Sequence, residues 1–287
     1  MTALAPARSM SRANVFSTVI LVIGALYCVL PVLWIVIAAT KSSSELFSTP
    51  TAIPSFTGGL FENVAELLAY RDSIFGRWML NSALYAGGGG LASTLIAAAA
   101  GYALAKYSFR GSAWIFRIIV AAVLLPQIML AIPQYLLLAP LGLTNNYLSV
   151  ILPLLVSPYA IYLCKIYAEA SVPNEIMEAA RIDGASEWRI FLSTGLRLMS
   201  PALVTVFLLQ FIAIWNNFLL PFIMLTDDSK FPLTLGLYAM LRAGASQAAL
   251  YSLVITGAAI AIIPVVVLFL SLQRFWRLDL MSGGVKA

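Results

Sequence analysis

The 287-residue chain contains no histidine and only two cysteines. Without an imidazole there is no histidine general acid or base and no histidine metal ligand. Cys28 and Cys164 stand far apart in sequence, each inside an apolar run, and read as small packing residues. They say nothing about redox compartment. No nucleophile–base pair and no metal-ligand cluster can be assembled, so no catalytic residue and no metal site is expected. Charge is also scarce: 10% of residues against about 25% in a soluble domain, too little to cover a water-facing surface. The run Gly87 to Gly90 is followed by Leu91 rather than Lys-Ser/Thr, which excludes a phosphate-binding loop and ATP hydrolysis by this chain. The glycines read instead as small residues that let helices approach in a membrane. No ionisable residue falls near the middle of an apolar run. That disfavours proton- or sodium-coupled transport and points to an uncharged substrate. The net charge of +5 does not indicate nucleic acid, because the basic residues flank apolar runs and form no patch with interleaved aromatics.

What the chain has in abundance is apolar sequence, 61% of residues, in runs long enough to cross lipid. A spanning helix needs about 20 such residues. Six segments qualify, roughly 15–39, 80–104, 114–138, 147–168, 199–222 and 250–273, within one domain of residues 1–287. The first follows Arg8 and Arg12, but its apolar run exceeds a signal-peptide core and reads as a retained helix. Pro126 and Pro133 suggest a kinked third span. With the N-terminus in the cytoplasm, twelve lysines and arginines lie inside and five outside. This predicts a multi-pass protein with both termini cytoplasmic.

The connection 169–198 is the most charged stretch. Asn174 is a plausible N-cap, Glu175 and Glu178 suit the start of a helix dipole, and Met177, Ala180 and Ile176 can share an apolar face. Gly184 ends this helix as a C′ glycine. Ser186 caps a second short helix, Glu187 to Leu192, bearing Trp188 and Phe191. Such a unit is too charged for lipid. It exposes Ala179, Ala180, Ile182 and Trp188, as an interfacial element or as a knob for a partner's groove.

Glu178-Ala179-Ala180, three residues, then Gly184 resembles the EAA loop of permeases in binding-protein-dependent ABC importers. Leu196 continues that pattern, whereas Thr194 and Arg197 depart from it. Asn81-Ser82, Gly101-Tyr102-Ala103-Leu104-Ala105-Lys106, Phe109, Gly111 and Leu141-Gly142-Leu143-Thr144-Asn145-Asn146-Tyr147 extend the resemblance along the chain. Trp215 to Pro221 and the tail Ser282 to Lys286 resemble the carbohydrate, maltose-type group. The resemblance implies an all-α type I importer fold in a bacterial or archaeal cytoplasmic membrane. It implies a second homologous permease, two ATPase subunits that hold ATP and Mg, and an extracytoplasmic solute-binding protein, with no cofactor on this chain. It implies ATPase coupling through Glu178, Ala179, Ala180, Asp183, Gly184 and Trp188, a tail contact through Gly284 and Lys286, and a sugar as substrate.

Amides inside apolar runs need partners. Gln210, Trp215, Asn216, Asn217 and Gln127 are therefore either interhelical hydrogen-bonding groups or the lining of a translocation path. Amides suit hydroxyls and aromatic rings suit sugar faces. Two other readings stand beside a sugar importer: an importer of the same class for another solute, and a channel or secondary transporter that needs no ATPase.

Overall fold

A computed structural model describes residues 12–50, 52–56, 59–244 and 249–283. Every regular element among them is helical. The described chain divides into two units, 12–67 with 243–244 and 249–260, and 68–242 with 261–283.

The first unit opens with α1 (Arg12–Ala39), which is apolar all round. Almost none of its surface is covered by the chain. A helix with no polar face and no protein cover requires a lipid or protein environment. Its exit is tightly built. The buried Lys41 ammonium donates to Thr49 Oγ1 and to the Pro50 carbonyl at 3.0 and 2.6 Å. The Asn63 amide donates to the carbonyls of Ala39 and Lys41. Ser42 and Glu45 form a capping box for α2 (Ser43–Ser48). Helix α3 (Gly59–Ala69) buries Gly59, Asn63 and Leu67 at fourfold spacing.

The second unit contains the breaks that matter. Helix α4 (Ile74–Ala83) passes through a π-turn, Leu84–Gly89, into α5 (Gly90–Lys106). Together they make one helix, Ile74–Lys106, that starts earlier than the sequence pattern suggests. The third span is two helices, α6 (Ser112–Val123) and α7 (Gln127–Leu138), bent by 108°. Pro126 sits at the break, whereas α7 runs through Pro133. Helix α8 (Tyr147–Leu154) stops before Ser157, which caps α9 (Pro158–Ser171). The charged connection forms α10 (Asn174–Ile182) and α11 (Glu187–Ile190). A second π-turn, Phe191–Gly195, joins α11 to α12 (Leu196–Trp215), so the helix of the fifth span begins at Glu187. After a break come α13 (Leu219–Met224) and α14 (Leu233–Gly244). The last helix, α15 (Ala249–Gly283), runs through Pro264. Counting the bent pair as one, six helices among the described residues are long and apolar enough to cross a membrane.

Small residues hold α5 to α9. Ala97, Ala98, Ala160, Cys164 and Ala168 are buried together. A Cβ on Gly101 would lie 2.6 Å from the Lys165 nitrogen and 2.7 Å from Cys164 Cβ, so this approach needs glycine. In the glycine run, only Gly90 packs against a neighbouring helix, at Phe211 and Phe207. A Cβ on Gly87 or Gly89 would meet nothing within 4 Å, and both glycines belong to the π-turn.

Candidate functional site

Two places in the second unit carry the chemistry expected of the sequence. The first is the charged segment. Its φ of +79° at Gly184 is the left-handed turn that ends α10. The Ser186 hydroxyl caps α11 by accepting from the Arg189 N–H. Pro173, not Asn174, occupies the cap of α10; Asn174 is its first residue, and its side-chain Oδ1 accepts from Lys106 instead. Met177 is buried and Ala180 half-buried against the core, while Ile176 faces outward. That differs from a shared face for the three, because α10 lies on the bundle through its Met177 side. Glu178, Ala179, Asp183, Gly184 and Trp188 are exposed. Ile182 is 87% exposed and Trp188 64%. Arg197 lies exposed in the uninterrupted helix and Thr194 in the π-turn.

The segment is gripped from the end of α5. Lys106 Nζ donates to the Val172 carbonyl at 2.5 Å, at the entrance to α10. At its exit, the Arg181 guanidinium bonds both carboxylate oxygens of Glu187, at 2.6 and 3.2 Å. The Tyr107 hydroxyl donates to the same carboxylate at 2.9 Å. Burial raises the Tyr107 phenol above its usual pKa, and the neighbouring Glu187 adds to this, so it remains a donor. Tyr102 packs on Phe191 and fills the space at Gly195, where a Cβ would come within 2.8 Å of its ring. The motif Gly101 to Lys106 therefore forms a seat for the segment. Its spacing alone gave no sign of this, because the partners lie about 70 to 80 residues downstream.

The second place is a cavity of about 340 Å³. Three helix breaks meet there: Pro126 before α7, Ser157 before α9, and Asn216 to Phe218 before α13. Broken helices leave backbone donors and acceptors uncommitted, which membrane proteins tolerate only where protein or a cavity receives them. Gln127, Gln134, Gln210, Asn216, Asn217 and Ser157 all line it. Gln210 is 8% exposed and donates to Ser157 Oγ at 2.8 Å. The Asn216 amide turns back to the Ile212 carbonyl. Trp215 does not line the cavity; it is buried and stacked on Phe211 with ring centroids 5.5 Å apart. The structure thus brings Gln127, Gln210, Asn216 and Asn217 together and leaves Trp215 outside. Gly284 and Lys286 lie outside the described residues.

A third feature was not anticipated. Trp78, Asn81, Ser82 and Tyr85 share one stripe at helical spacing. Trp78 Nε1 donates to the Asp228 carbonyl, Asn81 Nδ2 to those of Ser229 and Phe231, and Tyr85 to that of Lys230. Ser82 Oγ accepts from the Leu233 N–H at 2.7 Å. From the other side, Asn145 Oδ1 accepts from the N–H groups of Thr226 and Asp227. The Asp227 carboxyl is held down to about 2 by hydrogen bonds from Lys230 first and then Ser229. Segment 226–233 is fixed by its backbone on both flanks.

Residues 90–277 match the model of the binding-protein-dependent transport system inner membrane component family. The chain belongs to this family. It is 32% identical, over 91% of its length and 92% of the relative's, to the arabinooligosaccharides transport system permease protein AraQ of Halalkalibacterium halodurans. It is 29% identical, over 95% of its length and 89% of the relative's, to the diacetylchitobiose uptake system permease protein NgcG of Streptomyces coelicolor. A chain in the crystal structure of a bacterial ABC transporter involved in the import of the acidic polysaccharide alginate superposes with a TM-score of 0.79. That match covers 95% of this chain and 99% of the other at 24% identity, and it establishes the type I importer fold. Permeases of this family are inner membrane components of transport systems, and this chain sits in such a membrane as a transport subunit.

Proposed function

We propose that this chain is the permease subunit of an ATP-driven importer of sugars or sugar derivatives. Half of the path would be formed here and half by a second homologous permease. Two ATPase subunits would hold ATP and Mg, and an extracytoplasmic solute-binding protein would deliver the substrate. Both termini and the segment 174–192 lie on the cytoplasmic side in this reading, in keeping with the charge balance. The connection 225–233 would face outward, where the solute-binding protein docks.

One observation carries the reading. An exposed apolar pair, Ile182 and Trp188, projects from a segment pinned to the bundle at both ends of α10, by Lys106 and by Tyr107. A knob of this kind suits a groove on an ATPase subunit. Its other end is continuous with the helix that carries Gln210, about 35 Å away (23 residues at about 1.5 Å). ATP-driven closure of the ATPase pair would move α10, and α12 would carry that movement to the cavity. The amides there can both donate to and accept from hydroxyl groups, and an uncharged lining suits a sugar. The printed names of the relatives support the same substrate class.

The test is uptake of a radiolabelled oligosaccharide chosen by its affinity for the cognate binding protein. Uptake by a strain lacking this chain is expected to return with the wild-type chain. It should fall several-fold with Gln134→Leu or Gln210→Leu while the assembled complex remains intact. Full uptake by both variants would remove the cavity from the path. Uptake that persists without the ATPase subunits would favour a channel or secondary transporter.

A further inference from the structure

We infer that the helix Ile74–Lys106 is a second transmission rod, linking the docking segment to the connection 225–233 at its opposite end. This rests on the docking reading above and deepens it by naming the positioning residues. The rod is hydrogen-bonded through its π-turn, since the Leu84 N–H reaches the carbonyls of Leu80 and Asn81 and the Gly90 N–H those of Ala86 and Gly87. It runs about 50 Å (33 residues at about 1.5 Å).

Its two ends make contacts of different kinds. At the α5 end, Lys106 and Tyr107 hold the entrance and exit of α10. At the α4 end, Trp78, Asn81 and Tyr85 donate to successive carbonyls of the connection. Bonds to backbone fix a segment's position whatever its side chains. Arg71 adds an ion pair with Asp228 at 2.6 Å. Helix α12 joins the docking segment to the cavity by chain continuity, but nothing covalent joins that segment to the connection 225–233 except by way of the cavity. The rod supplies the direct route. Packed and hydrogen-bonded elements of this kind are one physical carrier of long-range linkage, and the demonstration is a measured coupling between the two ends.

Two links in series have a distinctive signature. Once one is cut, cutting the other adds nothing, whereas independent defects add. The experiment uses the whole importer in phospholipid vesicles and measures the stimulation of ATP hydrolysis by the solute-binding protein. Tyr107→Phe removes one bond at the docking end, and Tyr85→Phe removes one at the far end. Each is expected to reduce the stimulation about two- to tenfold, the worth of one hydrogen bond. The double variant should be no worse than the deeper single. Co-elution of all subunits and an unchanged Tm separate lost coupling from lost folding. Multiplicative losses in the double variant, or full stimulation with Tyr85→Phe, would overturn the rod. Failure of the wild-type chain to bind the ATPase would sink the docking reading itself, and the rod with it.

Discussion

At the scale of single residues, two kinds of glycine stand in one helix. Gly101 is the point of closest approach between α5 and α9, where a new Cβ would lie 2.6 Å from backbone. Gly101→Ala is expected to destabilise the chain by about 1–3 kcal/mol. Gly87 meets open space, so Gly87→Ala is expected to stabilise it by about 0.5–1 kcal/mol. Thermal unfolding of the purified complex checks both, and equal Tm shifts for the two would refute the distinction. A second contrast lies between α3 and α4. Arg71, Asp72 and Ser73 all have left-handed φ values, 44°, 56° and 64°. An L residue there costs about 1–2 kcal/mol. Ser73→Gly should therefore raise the Tm, and a lower Tm would show that the serine side chain contributes more than the strain removes.

At the scale of elements, the connection 225–233 gives a pH prediction. The Asp227 carboxyl titrates near 2, below its ordinary 3.8, because Lys230 and Ser229 donate to it. A depressed carboxyl contributes stability that is present above the unfolded value and lost as pH falls toward the folded one. The connection should thus hold above about pH 4 and loosen between about pH 4 and 2. Deuterium exchange of 225–232 measures this, and the acid-dependent part should vanish in Asp227→Asn. Persistence of that part in the variant would assign the effect elsewhere. The helices themselves were largely legible in the sequence, since unbroken apolar runs leave lipid-crossing helices as the outcome. The turn at Gly184 and the Ser186 cap were legible too, because their signals are local. The Asn174 cap was not: Pro173 takes the cap, and Lys106 draws the asparagine away. The helix start at Ile74 was hidden, since polar residues there are helical through tertiary bonds rather than through hydropathy, and so was the continuity of the Glu187 helix with the fifth span. Trp215 looked like a sugar-facing ring because its neighbours are amides, but helical rotation turns it onto Phe211.

At the scale of the whole molecule, the second unit joins three pieces of machinery that sequence motifs mark only as separate patches. The motif at Gly101 to Lys106 seats the segment 174–192, Asn81-Ser82 reads a distant backbone, and Asn145 does so from the other flank. Each is a local word whose meaning depends on a partner far along the chain, so spacing alone could not supply it. The cavity is similar: its amides were visible as polar residues in apolar runs, but Ser157 and the meeting of three breaks were not. In the first unit, α1 leaves an apolar surface that the chain does not cover, as befits a subunit of a membrane assembly.

The most direct test is capture of this chain on its immobilised ATPase subunit, repeated with Ile182→Asp and Trp188→Ala together. Both side chains are largely exposed, Ile182 almost wholly and Trp188 with one face on Phe191, so the fold should survive. The account predicts that the wild-type chain is retained with its partner permease and that the double variant is lost, with both equally stable. Equal retention of the two would contradict the assignment of 174–192 as the surface through which ATP drives transport.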